Sequence, residues 1–354
     1  MKESFDIAGQ SIPPGARRTV HVPLAPLYTS MDMMMPVHVV RGRKPGPVLF
    51  VSAAIHGDEI NGVEIIRRLL ARTELDKIKG TLIAVPVVNV YGYTFRSRYL
   101  PDRRDLNRSF PGSPTGSMAS RMADIFMQEI VAKSTHGIDL HTGAVHRTNL
   151  PHVRVAFDNE ESLRLAQAFR VPLIMHSNLR DGSLRQAGLE KELPMLLYEA
   201  GEALRFDEPS IRIGVRGVLT VMRTIGMLAR RRSAGGQQVK PLIASGSKWV
   251  RAPDSGTLIQ KHTVGDVVRE GDILGYITDP LGAEDVPIYA TATGVIVGQA
   301  LLPLVYEGEA LFNIGVLDRV QDVESKLDRF ASNLGSDPDL PPDLDAVMAH
   351  DPVD

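Results

Sequence analysis

A short apolar run that ends in the tetrapeptide HGDE constrains the fold of this chain more than any other feature. The run covers residues 48–55, and in the segment after it Val63, Ile66 and Leu70 fall on one face of a helix. A second apolar run follows over residues 81–88. Strand, helix and strand at this spacing predict a βαβ crossover. The fold class expected is therefore α/β, with a mixed sheet flanked by helices.

Apolar periodicity continues beyond this unit. The pattern predicts helices over residues 118–130 and 161–169, and short strands over residues 137–140 and 195–198 that stop at a histidine and a glutamate. Between them, residues 91–116 are rich in Arg, Asp, Pro and Gly and show little periodicity. This predicts a long irregular loop, which a compact domain keeps for a purpose.

The composition changes near residue 230, where the stretch LARRRSAGGQQVKP predicts an exposed linker. An α/β domain is accordingly predicted over residues 1–240 and a smaller β-rich domain over residues 245–320. Within the second domain four residues recur at an offset of about 37: Gly256, Gly271, Leu274 and Ile277 return as Gly294, Gly308, Leu311 and Ile314. Residues 321–354, which contain DPDLPPDLD, predict an acidic and poorly ordered tail.

Composition excludes several kinds of function. Because the chain has no cysteine, any metal must be bound by His, Asp or Glu. The 40 Lys and Arg residues against 42 Asp and Glu leave a net charge of −2, so neither nucleic acid nor an anionic membrane is an expected partner. The amino terminus lacks an apolar signal segment, and no apolar run is long enough to span a membrane. A soluble, cytoplasmic protein is expected.

Two of the predicted strands end at residues that bind metals. His56 and Glu59 follow the first strand, and His141 follows the strand in GIDLHTG. Two imidazoles and one carboxylate form a common catalytic zinc shell that leaves a position open for water. Asp139 alternates to the same side as His141 and is placed to hold that shell from behind. The alternative is that each histidine merely hydrogen-bonds within its turn.

Four motifs, HGDE, DRRDLNRSFPG, DLHTG and YEAGE, follow one another in this order. In that order the chain resembles the succinylglutamate desuccinylase/aspartoacylase family, a branch of the zinc carboxypeptidase-like fold, over nearly its whole length. The resemblance implies that His56, Glu59 and His141 bind one zinc ion per chain and that Glu199 is the general base. It also implies that Arg98 polarises the scissile carbonyl. The substrate contacts that it suggests are Asn107, Arg108, Arg185 and Tyr306.

The second domain resembles the barrel-sandwich fold of biotinyl and lipoyl domains in the phrases APDSGTL, VGDVVREGDILGYI and YEGEALFNI. A carrier domain of that fold needs a lysine at the hairpin between its halves. Residues 278–293 contain none, and Lys261 is the sole lysine between residues 250 and 320. The domain is therefore predicted to be a wall of the active site and not a carrier.

The function predicted is that of a zinc-dependent amidohydrolase acting on a small N-acyl amino acid or a related amine, with a metal-activated water as the nucleophile. A carboxypeptidase or deglutamylase that acts on peptide ends is the first alternative. An inactive metal-binding homologue is the second. The identity of the acyl group and the oligomeric state, a homo-oligomer included, stay open.

Overall fold

A computed structural model describes residues 5–230, 239–282 and 285–335, with the backbone alone described for residues 333–335. In chain order the strands are β1 Phe5–Ile7, β2 Gln10–Ile12, β3 Arg17–Pro23, β4 Met34–Arg41, β5 Lys44–Ala53, β6 Lys79–Val85, β7 His136–Gly143, β8 Arg147–Val155, β9 Leu173–His176, β10 Met195–Glu202, β11 Leu242–Ala244, β12 Gly246–Arg251, β13 Gly256–Gln260, β14 Val267–Val268, β15 Ile273–Thr278, β16 Asp285–Tyr289, β17 Gly294–Ala300, β18 Leu304–Val305 and β19 Ala310–Val316. The helices are α1 Asn61–Leu70, α2 Val90–Phe95, α3 Met118–Glu129, α4 Glu160–Phe169, α5 Leu184–Leu189, α6 Glu208–Thr224 and α7 Val323–Gly335, with 3-10 turns over Thr73–Lys77, Leu106–Arg108 and Val131–Lys133.

The predicted βαβ unit is confirmed. Strands β5 and β6 are parallel neighbours, joined through α1. Strand β5 is also parallel to β7, and β7 is parallel to β10, where Glu199 pairs with His141. The carboxyl ends of β5, β7 and β10 therefore meet at one edge of a mixed sheet. Open α/β sheets bind their ligands at such an edge.

Helices cover both faces of this sheet, which confirms the predicted α/β class. Alternate residues of β5 point to opposite faces, so Val51 packs in the cluster with α1, α4 and α6 while Phe50 packs on the other face against α3. The rings of Phe50 and Phe126 meet edge to face at 5.8 Å. Burying one such side chain stabilises the fold by roughly 1.5–3 kcal/mol, and these two layers fix the site edge rigidly.

Three local predictions are corrected. Residues 91–116 are not wholly irregular, because the Asn89 side chain accepts a hydrogen bond of 2.8 Å from Gly92 N and caps α2. Strand β10 does not stop at Glu199 but continues to Glu202 through a bulge. The sequence analysis also missed β8, because Pro151 and the polar residues of RTNLPHVRV hide its alternation.

The β-rich part is joined to the first domain by the sheet itself. Strand β17 pairs antiparallel with β8, with Gly298 opposite Asn149 and Ala300 opposite Arg147, and β19 and β12 extend the same sheet outward. A separate four-stranded sheet holds β16, β15, β13 and β18. Residues 250–316 have a hydrophobic cluster of their own. The division at residues 240–245 stays a prediction, since the large sheet runs across it.

The predicted repeat corresponds to two antiparallel strand pairs. Strand β13 pairs with β15, placing Leu258 opposite Ile277, and β17 pairs with β19, placing Ile296 opposite Ile314. Gly271 and Gly308 precede the second strand of each pair with φ of 91° and 83°, values that favour glycine. The two copies lie in different sheets and pack their apolar faces together.

Two further predictions concern the segments at the ends of this β-rich part. Most of the predicted linker, residues 231–238, lies outside the described residues. The predicted tail begins with helix α7, in which Val323 is buried and Phe330 packs against the core. That correction follows from the apolar stripe of α7, whereas residues 336–354 lie outside the described part. Within the described residues no helix has the length and apolarity to cross a bilayer, and a cytoplasmic location stays a prediction.

Candidate active site

The HGDE loop leaves β5 at the site edge and leads into α1. Both His56 and Glu59 are buried there. Gly57 allows this path, because a Cβ at residue 57 would lie 2.0 Å from the carbonyl carbon of Gly92, at α2. The loop is therefore pressed against α2, and its two polar side chains point into the protein.

Glu59 joins the two histidines that the sequence predicted as ligands. Its Oε1 lies 2.7 Å from His56 Nδ1, and its Oε2 lies 2.7 Å from His141 Nδ1. Thr142 N also donates to Oε2 at 3.1 Å. One ligand atom from each of His56, Glu59 and His141 can be chosen so that all lie within 4.8 Å of one another. The structure thus brings the three residues together; their binding of a metal stays a prediction.

Two more carboxylates hold the far nitrogens of these imidazoles. Asp105 Oδ1 lies 3.1 Å from His56 Nε2, and Asp139 Oδ2 lies 2.7 Å from His141 Nε2. Asp139 is held in turn by Ser52 Oγ, which donates at 2.8 Å. The place of Asp139 was expected from the sequence. That of Asp105 was not, although Asp105 lies within the motif DRRDLNRSFPG, directly before the 3-10 turn.

The charges of this cluster favour a cation between its members. Burial alone would lower the pKa of His56, but the Glu59 carboxylate and then Asp105 raise it. For His141 burial is likewise outweighed, here by Asp139 and Glu59, and its pKa is well above the ordinary value. Burial would raise the pKa of Glu59, yet the two histidines hold it well below its usual range. Carboxylates around two imidazoles supply the donors that zinc prefers.

Arg98 lies beside the same cluster. Its Nη1 donates to Glu59 Oε1 at 3.2 Å and its Nη2 donates to Asp105 Oδ2 at 3.0 Å. These contacts hold the guanidinium at the cavity surface, next to the predicted metal ligands. The structure therefore places a fixed positive charge where the sequence analysis expected one.

Glu199 faces the cavity from β10. Asn149 Nδ2 donates to its Oε2 at 2.7 Å, and Arg154 Nε lies 3.6 Å from its Oε1. Both partners come from β8, the antiparallel neighbour of β10. The carboxylate is thus held from one side by a hydrogen bond from Asn149 and by the nearby positive charge of Arg154, neither of which was expected from the sequence.

His152 completes this arrangement, although no pattern in the sequence singled it out. It is fully buried on β8 opposite Glu199. Its Nδ1 lies 2.7 Å from the carbonyl of Leu150, and Arg154 Nε donates to its Nε2 at 3.2 Å. Burial, and after it the charge of Arg154, lowers the pKa of His152 to about 4. A neutral imidazole therefore accepts from Arg154 and orients it.

The predicted substrate contacts differ in how they are held. Asn107 is buried in the 3-10 turn and its Oδ1 accepts from Leu184 N at 2.9 Å, so it also fixes α5. Arg108 is exposed at the cavity. Arg185 is buried, and its Nη2 donates to the carbonyl of Asn178 at 2.8 Å while its Nη1 has no hydrogen-bond partner. Burial, followed by the charge of Arg154, lowers the pKa of Arg185 to about 10.

A cavity of about 170 Å³ collects these side chains. Six arginines and two glutamates line it, so its wall is strongly positive. The arginines are Arg98, Arg108, Arg147, Arg154, Arg180 and Arg185. A wider cavity of about 680 Å³ adjoins it, and Trp249 of β12 lines both.

Tyr306 does not join this site. Its side chain is 75% exposed and lines neither cavity. Its neighbours Glu307 and Gly308 line the outer cavity, and Trp249 is the aromatic residue that the β-rich part places at the cleft. Tyr306 therefore lies beside the outer cavity without lining it, and its contact with substrate stays a prediction.

Comparisons with known proteins agree with this geometry. A family model described as the succinylglutamate desuccinylase/aspartoacylase catalytic domain matches residues 45–225. The N-α-acetyl-L-2,4-diaminobutyric acid deacetylase of Halomonas elongata is 28% identical over 290 residues, which are 79% of this chain and 84% of that protein.

Solved structures extend the likeness to the whole fold. A succinylglutamate desuccinylase/aspartoacylase from Rhodobacter sphaeroides superimposes with a TM-score of 0.76 at 24% identity, over 84% of this chain and 95% of that one. The product-bound ectoine utilization protein of Ruegeria pomeroyi gives a TM-score of 0.76 at 23% identity, over 85% and 95% of the two chains. At these identities the two likenesses show the fold alone.

Proposed function

The chain belongs to the succinylglutamate desuccinylase/aspartoacylase family, and from that premise we propose that it is a zinc-dependent hydrolase of the amide bond in small N-acyl amino acids. The observation that carries the proposal is the position of a His, Glu and His cluster inside a small cavity walled by arginines. The cluster suits a hydrolytic metal, and the wall suits a substrate that carries carboxylates.

His56, Glu59 and His141 would hold the zinc ion. Support comes from the convergence of both Nδ1 atoms on the Glu59 carboxylate and from the acids behind the two rings. Carboxylates behind ligating imidazoles fix the ring orientation and increase ligand basicity. When bound, zinc supplies a Lewis acid that polarises a carbonyl and increases the acidity of water.

Glu199 would move the proton. Its carboxylate is to accept a proton from the attacking water and pass it to the leaving amine. The pairing of β10 with β7 supports this role, because it sets Glu199 beside His141. Asn149 and Arg154 would hold the carboxylate in one orientation, so that a free oxygen lone pair faces the cavity.

Arg98 would stabilise the negative charge that develops on the carbonyl oxygen. The two carboxylates that it contacts keep its guanidinium in place before the substrate arrives. A preorganised donor of this kind contributes about 3 kcal/mol to the transition state. Arg108 and Arg185, with Asn107 beside them, would bind the substrate's carboxylate groups.

The charge of the wall favours an acidic amino acid as the amine product. The relative from Halomonas elongata is named for a substrate whose diaminobutyric acid carries a second amine. Six arginines would repel such a cation in this cavity. We therefore propose N-acyl derivatives of aspartate or glutamate as the preferred substrates of this chain.

The test is a panel assay with zinc-loaded protein. N-acetyl and N-succinyl derivatives of aspartate, glutamate and diaminobutyrate, together with peptides ending in glutamate, are incubated and free amine is measured. Release from the acidic N-acyl amino acids, absent in Glu199→Gln, is expected. Cleavage of the peptides alone would favour the carboxypeptidase alternative, and a zinc-loaded protein without turnover on any compound would favour the inactive homologue.

A further inference from the structure

The inner and outer cavities share three lining residues, to which the proposed function assigns no individual contact. Arg147 at the start of β8, Arg180 in the loop after β9, and Trp249 on β12 line both cavities. The outer cavity is the larger, at about 680 Å³ against about 170 Å³. A molecule that extends outward from the metal cluster must pass these three side chains.

The strand register explains how distant residues meet at this wall. Residues directly opposite in antiparallel strands share a face. Ala300 lies opposite Arg147, Gly298 lies opposite Asn149 and also Asn313, and Asn313 lies opposite Trp249. Because Gly298 and Ala300 of β17 have small side chains, space remains on this face of the sheet between Arg147 and Trp249. The Arg147 guanidinium reaches across and lies 5.4 Å from the Trp249 ring centroid.

The guanidinium groups of Arg147 and Arg180 are available to bind an anion. Among the described residues, no carboxylate oxygen lies within 4.0 Å of either guanidinium group. Arg147 is positioned by an aromatic ring, which leaves its N–H groups available. Arg180 lies near other arginines: burial lowers its pKa, and the charges of Arg108 and Arg154 lower it further. Bound anions relieve such repulsion.

The outer rim limits where an anion would bind. Glu307 and Glu309 line the outer cavity on the side of the β-rich part. Their charge disfavours an anion far out, while the arginines favour one at the junction of the two cavities. Arg251 also lines the outer cavity, where its Nη1 donates to the carbonyl of Gly308 at 2.7 Å. At the junction a substrate's outer end meets the positive charges of Arg147 and Arg180.

We propose that Arg147, Arg180 and Trp249 form a second anion site, which binds the distal carboxylate of a substrate long enough to extend from the inner cavity into the outer one. The inference rests on the proposed function for the identity of the molecule but not for the existence of the site. Arg147 and Arg180 pair with the carboxylate, and Trp249 both holds Arg147 and covers the methylene chain.

Trp249 is the sole tryptophan of the chain, so its fluorescence reports on this site directly. Zinc-loaded protein is titrated with octanedioate, with octanoate as the monocarboxylate of equal length, and with succinate as a short dicarboxylate. Octanedioate is expected to change the fluorescence with a Kd about tenfold lower than that of octanoate. In Arg147→Gln and Arg180→Gln that Kd rises about tenfold, whereas the Kd of succinate, which is too short to extend into the outer cavity, changes less.

Arg269→Gln is the matched control, because Arg269 is an exposed arginine of the β-rich part outside both cavities. Equal Kd values for octanedioate and octanoate, or an octanedioate Kd unchanged in both arginine variants, would overturn the second anion site. The two proposals fail separately. Tight octanedioate binding without amide hydrolysis defeats the proposed function alone, whereas hydrolysis with equal binding of the two acids defeats the second site alone.

Discussion

The two ends of the cleft carry opposite charge. We call one the metal end, formed by His56, Glu59, His141, Asp105 and Asp139, and the other the arginine wall, formed by the arginines of the inner cavity other than Arg98. At the metal end, carboxylates outnumber imidazoles, and each ring nitrogen of His56 and His141 has a carboxylate partner. At the arginine wall, positive groups crowd together, and the nearest carboxylate to Arg154 lies 3.6 Å away. The first end is an electrostatically complete site for a cation. The second has uncompensated positive charge unless an anion is bound. Under the proposed function the first end would therefore hold the metal and the second would select the substrate.

Removing a metal ligand should break the first end altogether. In His141→Ala the cluster loses one imidazole, so most of the zinc and nearly all turnover are expected to disappear. Metal analysis of the purified protein checks this against about one zinc per chain in the wild type. His146→Ala, which removes a largely exposed histidine five residues away, is the control. Stoichiometric zinc in His141→Ala would remove His141 from the ligand set.

The next largest effect separates metal binding from proton transfer. Glu199→Gln keeps the side chain's size and its partners on β8 but cannot take a proton, so kcat should fall by roughly 10²-fold or more. Zinc content and thermal stability should stay unchanged. Glu202→Gln, three residues further along β10, is the control. Near-normal turnover in the Glu199 variant together with a loss in the Glu202 variant would transfer the role to Glu202.

Substitutions of Arg108 and Arg98 should change different kinetic constants, KM in the first case and kcat in the second. Arg108→Gln is expected to raise KM for acidic substrates about tenfold with little change in kcat, because it removes ground-state binding. Arg98→Gln is expected to lower kcat instead, since its contact strengthens as charge develops. Arg104→Gln, an exposed arginine of the same loop, controls for general charge effects. Equal responses to Arg98→Gln and Arg108→Gln would show that the two arginines are not specialised.

The smallest expected effect is on the pH dependence of stability, and it comes from His152, the buried neutral histidine on β8. His152 has a pKa of about 4 in the folded protein against an ordinary value of 6.5. As the pH falls, the unfolded chain therefore takes up this proton first, and stability is lost between about pH 6.5 and 4, with no loss above. Urea unfolding at pH 7.5 and 5.5 should show wild type losing roughly 1 kcal/mol more than His152→Gln. The control is His21→Gln, at an exposed site, which should lose as much stability as wild type. If His152→Gln lost as much stability as wild type between the two pH values, His152 would not be buried in its neutral form.

The meeting of His56, Glu59 and His141 was predictable from the sequence because each of them comes shortly after a recognisable apolar run. That they bind a metal stays a prediction. HGDE and DLHTG each follow an apolar run, and parallel strands bring their carboxyl ends to one edge. The α/β class and the βαβ unit follow from the same periodicity. The roles of Glu199 and Arg98 came from the resemblance to the family.

The arginine wall was not predictable, because pairing between distant strands assembles it. Arg147 meets Trp249 through the ladder of β8, β17, β19 and β12. The spacing of residues along the sequence does not reveal which residues of these four strands lie opposite one another. His152 looks like any polar residue of an irregular stretch until its burial is known. The position of Tyr306 outside both cavities was equally hidden, since the direction of a turn depends on the packing around it. Its contact with substrate stays a prediction.

The ladder between β8 and β17 has a consequence for how the cleft admits its substrate. Swinging the β-rich part outward would break the pairs of Gly298 with Asn149 and of Ala300 with Arg147. Strand β8 also carries Asn149, which donates to Glu199, so the pairing that fixes the β-rich part runs beside Glu199. The β-rich part is therefore attached to the cleft by paired strands as well as by the chain connection. Because opening the cleft would cost these strand hydrogen bonds, we expect the width of the entrance, and not closure of a domain, to limit which substrates enter.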